Sequence, residues 1–264
     1  MDNIAMDTSA TPSTLSRRFD TFLQSRPDED SLRRVFQAFQ RPSWEAHLFG
    51  GLLRDILLNG VRANPRDVDL VLAESCIDEV ADVFSDAIER KTRFGGLHLH
   101  LYGWHIDVWS LEQTWAFHRD NKFSVTFQDL PKTTFLDVDA VAMQLFRSAE
   151  KKSAPGIFES GFFRAMNEQI VDVNFEPNPY PELCVVRGLE IAERLGFALG
   201  PDLVAYIAEH APPTIAGVRN LADLQRSHYG TVRLSVEKLH LQLQRVREHH
   251  RRLKRSTLSL IPST

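Results

Sequence analysis

Cysteine is scarce in this chain: Cys76 and Cys184 are the two in 264 residues. That usage excludes a disulfide-stapled scaffold and a thiolate zinc site, and it suits a reducing compartment. Net charge is also small, at -4, which excludes wholesale coating of nucleic acid and leaves local basic surfaces to be considered. No apolar run reaches the length of a membrane helix, and the N-terminal MDNIAMDTSATPST has early acids and no apolar stretch. Neither a span nor a signal peptide is expected, so the expected location is cytoplasmic. Repeats and low-complexity tracts are missing. What remains, 43% hydrophobic and 25% charged, is an ordinary globular composition, enough for one large or two modest domains.

Residues 1–28 are rich in Ser, Thr, Asp and Pro with little periodicity, and they are expected to form a mobile N-terminal arm followed by a short helix. From Ser31, Leu32, Val35, Phe36 and Phe39 recur at helical spacing, and Pro42 stops that helix. Residues 44–49 fit a buried strand that turns at Gly50-Gly51 into a helix closed by Gly60. A turn at Asn64-Pro65 leads to a second strand. Val80, Val83, Phe84 and Ile88 then predict a helix over residues 77–90. Leu97, Leu99 and Leu101 alternate with His98, His100 and Tyr102, and after a turn at Gly103 come Ile106, Asp107 and Val108, the pattern of a β-hairpin. The order of elements indicates an α/β sheet domain over residues 29–154. A proline-rich join follows over residues 155–181, and residues 182–264 read as an all-helical domain ending in a basic helix from Val232. Residues 210–227 read as an irregular link between helices.

The chemistry gathers around residues 49–72. Asp67 and Asp69 are one residue apart on a strand, so both point to one face while Val68, Leu70 and Leu72 point to the other. Asp107 is a third carboxylate flanked by apolar strand residues. Three acids in one cleft repel one another unless a divalent cation neutralises them. Backbone N–H groups at the glycine-led helix start suit phosphate oxygens, and Arg54 in the first turn can add a charge-assisted bond. His98 and His100 read as surface or core-edge histidines, because no third ligand matches them.

These motifs resemble the nucleotidyltransferase superfamily, most closely the head domain of bacterial poly(A) polymerases and class II CCA-adding tRNA nucleotidyltransferases. The signature of two glycines, x-x-Arg-Asp and a later Asp-x-Asp is met by Gly50, Gly51, Arg54, Asp55, Asp67 and Asp69. Residues 186–199, VRGLEIAERLGFAL, resemble the family's neck helix, and Ser235, Glu237 and Lys238 resemble a later Ser-x-Glu-Arg motif. The resemblance implies a mixed twisted sheet followed by a small helical neck, and transfer of a nucleotide from an NTP to a hydroxyl with release of pyrophosphate. It implies Asp67, Asp69 and Asp107 as catalytic ligands of Mg2+ or Mn2+. Gly50, Gly51 and Arg54 would hold the β- and γ-phosphates, with Lys132 and Arg187 as further nucleotide contacts.

Two departures from the family narrow the expectation. Where the family has Arg-Arg-Asp-Phe-Thr-x-Asn-Ala, this chain has residues 132–140, KTTFLDVDA. Only Lys132 replaces part of the lost charge, and Asp137 and Asp139 are expected to cap a helix over residues 140–146. The positions that read C and A fall on Tyr180, Pro181 and Cys184, and neither proline nor cysteine offers the paired donors and acceptors of base selection. A tRNA or other RNA 3′ end is the leading acceptor. Loss of the selection motif suggests a specialised enzyme, such as a toxin or defence factor, whereas the lack of a long helical body and tail favours a small-molecule or protein acceptor. Two alternatives stand beside it: nucleotidylation of a small-molecule or protein hydroxyl, and a degenerate nucleotide-binding or regulatory module. A protein partner is left open by the sequence.

Overall fold

The computed structural model describes residues 9–27, 29–41, 44–73, 76–119, 123–145 and 156–258, with side chains to residue 252. Pro42, the first eight residues and residues 146–155 lie outside that description. The chain divides into two compact units, Met1–Asn167 and Glu168–Thr264.

The first unit contains a mixed seven-stranded sheet, consistent with the α/β expectation. Its strands are β1 (Ala46–Phe49), β2 (Val68–Leu72), β3 (Ile88–Lys91), β4 (Leu97–Leu101), β5 (Trp104–Ser110), β6 (Val141–Gln144) and β7 (Ile157–Glu159), in the order β3-β4-β5-β2-β1-β6-β7. β2 and β5 run parallel and the remaining pairs are antiparallel. Its helices are α1 (Pro12–Gln24), α2 (Ser31–Ala38), α3 (Gly51–Asn59), α4 (Ile77–Val83) and α5 (Phe162–Glu168). Leu48, Leu70, Leu72, Leu99 and Ile106 are fully buried in the sheet, as are Leu53 and Ile56 of α3. Elsewhere Val71 and Ala142 are covered by Leu111, Phe117 and Leu130 from the segment after β5, with Phe123 and Phe127 against them.

Several expectations are corrected. The short helix expected after the arm is the 13-residue α1, which starts early, at the Thr11 cap, and buries Leu15, Phe19 and Phe22 at helical spacing. Its polar surface hides that stripe from a reading by composition. The Arg18 guanidinium donates to the Leu57 carbonyl, near the last turn of α3, where a cation meets the negative end of the helix dipole. The helix over residues 77–90 stops at Val83, and Ile88–Lys91 pairs with β4 instead. Residues 141–144 form a strand rather than a helix, because β1 and β7 occupy both its edges. A short, wholly buried apolar run carries no period that could separate the two. Strand β7 and helix α5 fill the first part of the supposed join.

The second unit holds β8 (Ile170–Val171) paired in parallel with β9 (Ala198–Leu199), and the helices α6 (Pro181–Leu195), α7 (Pro201–His210), α8 (Ile215–Tyr229) and α9 (Val236–Leu258). Gly196, at φ 70°, ends α6 in the left-handed conformation, for which glycine has no Cβ penalty. Asp172 accepts from the Leu203 N–H at 2.7 Å and so caps α7 from outside. The supposed link over residues 210–227 is largely α8. Thr214 caps it, and Val218, Leu221, Ala222 and Gln225 form its buried face.

Candidate functional site

Register in a sheet decides which side chains stand together. Here it lines up one residue from each strand in a single row: Arg90, His98, Asp107, Asp69, Phe49, Ala142 and Phe158. Asp69 and Asp107 are direct partners across the parallel β2/β5 pair. Asp67 lies two residues before Asp69 and just ahead of β2, on the same side. The apolar partners Val68, Leu70, Ile106 and Val108 are buried, whereas Asp67, Asp69 and Asp107 are half-buried. The row changes from charged to apolar between Asp69 and Phe49. Phe49 and Trp109 form a T-shaped aromatic pair at 5.9 Å on that side.

The carboxylates already have partners. Asp67 accepts from the Arg66 guanidinium at 2.6 Å, and Asp107 accepts from His98. Arg90 reaches the other side of the His98 ring, 2.8 Å from Nε2. As a donor set, carboxylate oxygens on one face of two adjacent strands fit a hard divalent cation. Among the described residues, however, no three such side chains are gathered closely enough to hold an ion. The ion pair that holds Asp67 is exposed, with its arginine side chain 69% exposed.

The glycine turn differs from its expected role. Gly50 has φ 68° and ψ -125°, a conformation open to glycine alone. Its N–H donates to the Val141 carbonyl at 2.9 Å, so it is spent on the sheet rather than offered to a phosphate. The first N–H groups of α3, at Gly51 and Leu52, have no side-chain cap. Arg54 is turned inward and only 4% exposed. It donates to Asp55 at 2.9 Å and to Asp139, which is also buried. A Cβ at Gly51 would lie 3.2 Å from the Arg54 guanidinium. Arg54 therefore braces the turn against the segment before β6. Asp139 is its buried counter-charge rather than a helix cap, since no helix follows.

The remaining candidates stand on other elements. Lys132 is half-exposed and bonded to Asp129 at 2.7 Å. That bond, with the Ser124 N–H, holds the Asp129 carboxyl below the usual carboxylate range. Arg187 is an exposed residue of α6 in the second unit, where its charge acts on Cys184 and Tyr229. Cys184 is buried, and burial pushes its thiol up to about 11 despite a hydrogen bond from Tyr206. A neutral, buried thiol cannot read a base edge. His98 is the site residue that sequence reasoning passed over. Counting back across the two-residue Tyr102-Gly103 turn, with both at positive φ, pairs His98 with Asp107. The signal was present in the hairpin itself.

No protein-family model matches the chain. It is 26% identical over 200 residues to a CCA-adding enzyme from Levilactobacillus brevis, a match covering 72% of this chain and 47% of that one. In structure it superposes on a tRNA-processing enzyme in an apo form with TM-score 0.54 and 18% identity, over 82% of this chain and 56% of the other. A CCA-adding enzyme in complex with ATP gives TM-score 0.52 and 16% identity, over 76% and 49%. The fold is that of a divergent, CCA-adding-like nucleotidyltransferase head and neck. The chain spans about half the length of these relatives. Within the CCA-adding-like fold, the carboxylate row sits on the mixed sheet of the first unit, and α6 with its Leu-Gly-Phe end belongs to the second. Among the described residues no helix is long and apolar enough to cross a membrane.

Proposed function

We propose that this protein transfers a nucleotidyl group from an NTP to a hydroxyl, with an RNA 3′ end as acceptor and tRNA as the leading case. The observation that carries the reading is the register of Asp69 against Asp107, with Asp67 on the same face. That placement concentrates negative charge where a metal-bound triphosphate would be received. The acceptor hydroxyl gives up its proton by way of Asp107 to water as its oxygen attacks the α-phosphorus, the bond to the bridging oxygen of the β-phosphate breaks, and pyrophosphate leaves. Asp67, Asp69 and Asp107 would hold Mg2+ or Mn2+, which when bound supplies neutralisation of the triphosphate and activation of the hydroxyl. The N–H groups of Gly51 and Leu52 start α3, where the helix dipole favours phosphate oxygens.

Base selection is a separate matter. Tyr180, Pro181 and buried Cys184 occupy the positions that choose C and A in the family, so we infer that this chain does not build CCA by the family's code. A specialised modification of RNA ends, as in a toxin or defence enzyme, fits that loss. The His, Arg and Lys run of α9 supports an RNA acceptor by supplying phosphate-binding charge.

Incubation of the full chain with each labelled NTP, Mg2+ and total cellular RNA tests the reading. Label should enter RNA, with activity falling steeply as salt is raised. Salt-insensitive labelling of a small molecule or protein would favour the alternative acceptor class. If no labelled product forms and calorimetry detects no Mg2+-NTP binding, the enzymatic reading is lost.

A further inference from the structure

We propose that His98 is a positioning residue for the candidate site, holding the Asp107 carboxylate in one orientation while Arg90 fixes the tautomer of its ring. The inference rests on the nucleotidyl-transfer reading of the same face and assigns a new part to it. Strand register places His98 between Arg90 and Asp107, and both neighbours bond to it. Arginine has only donors, so the nitrogen it meets, Nε2, must accept. A ring that accepts at Nε2 carries its hydrogen on Nδ1 and donates it to Asp107 Oδ1. Arg90, His98 and Asp107 form one directional chain of donors.

The consequence follows from exposure. The Asp107 side chain is 41% exposed and that of His98 26%, so without the bond the carboxylate would turn freely among its rotamers in contact with water. With Oδ1 engaged, the second carboxylate oxygen is the one left to take a cation. Hydrogen bonds of this kind orient ligands around metal centres, and removing them costs about 10–100-fold in affinity or activity. A control is built into the same hairpin. His100 is exposed, stacks on His105 at 5.1 Å, and lies 3.9 Å from Glu89. It is thus a histidine of the same strand with no bond to an acid of the site.

The test compares the full chain with His98→Ala, His98→Asn, Arg90→Met and His100→Ala. Transfer kinetics are measured with labelled NTP and RNA, Mn2+ binding by loss of the free-ion electron paramagnetic resonance signal, and folding by thermal melting. His98→Ala should lower kcat about 10–100-fold and weaken Mn2+ about 10-fold or more, with KM for NTP within about twofold. His98→Asn, which keeps an N–H donor, should recover most of both losses. Arg90→Met should give a smaller loss of the same kind, and His100→Ala none.

Wild-type kcat and Mn2+ binding in His98→Ala would overturn the proposal, as would equal impairment of His98→Ala and His98→Asn in folded protein. If His98→Ala does not fold, His98→Asn and Arg90→Met decide: wild-type Mn2+ binding in His98→Asn with a loss in Arg90→Met supports it, and any other pattern overturns it. If the wild type transfers no nucleotide but its Mn2+ binding shows this pattern, the positioning role stands and the nucleotidyl-transfer reading fails. Transfer that is unaffected in every variant has the opposite meaning.

Discussion

Two Arg-Asp dipeptides in this chain read alike and behave differently. Arg54-Asp55 opens a helix behind the glycine turn, and its arginine side chain is 4% exposed. Arg66-Asp67 leads into β2 with side chains 69% and 36% exposed. The first arginine is held by two carboxylates, one of them brought from 85 residues away. Removing one partner of such a buried set strands a charge in low dielectric. The second pair is wet, screened and exchangeable. Burial thus makes one pair a brace for the fold and leaves the other aspartate able to change partners.

That contrast can be broken experimentally. The largest effect is expected on chemistry. Asp69→Asn or Asp67→Asn should reduce nucleotidyl transfer about 10³-fold, on the scale of removing a principal electrostatic contact from an active site. Melting temperatures should stay close to wild type. Arg54→Met should do the reverse of a site mutation, costing about 3–5 kcal/mol in urea unfolding and losing activity only in proportion to the folded fraction. A well-folded Arg54→Met with raised KM for NTP would instead support a phosphate role for Arg54.

A third expectation concerns His47, buried beneath Phe127 at 3.8 Å with no partner for Nδ1 among the described residues. Burial lowers its pKa to about 4 from the ordinary 6.5. As pH falls through 6.5 the unfolded chain takes up a proton that the folded chain refuses. Stability from this group should therefore drop between pH 6.5 and about 4, by about 3 kcal/mol in total. His47→Phe should flatten that part of the curve in urea titrations at stepped pH. The smallest effect is at the wet pair: Arg66→Ala should change stability by less than about 1 kcal/mol. A change as large as that of Arg54→Met would erase the distinction between the two pairs.

Much of the fold could be read from alternation and capping. Val68, Leu70 and Leu72 against Asp67 and Asp69, and the hairpin around Gly103, follow from local patterns, whereas the neck helix was legible through the family resemblance. The errors share a cause. Residues 141–143 are buried on both faces, so they carry no period. Ile88 continues the helical spacing of Val80, Val83 and Phe84, and strand β4, which captures it, lies later in the chain. In α1 and α8 a stripe of a few buried residues is diluted by polar neighbours. At the site, spacing and family likeness named the acids, and the hairpin held the His98–Asp107 pairing in plain sight.

The sequence by itself determined which side of each strand is charged and where the chain turns left-handed, because those are properties of neighbouring residues and of glycine. It could not determine which arginine is buried, or that Asp69 stands beside Asp107. Those depend on which strands become neighbours and on what covers them. Only the tertiary structure sets the partners and the dielectric around each charge.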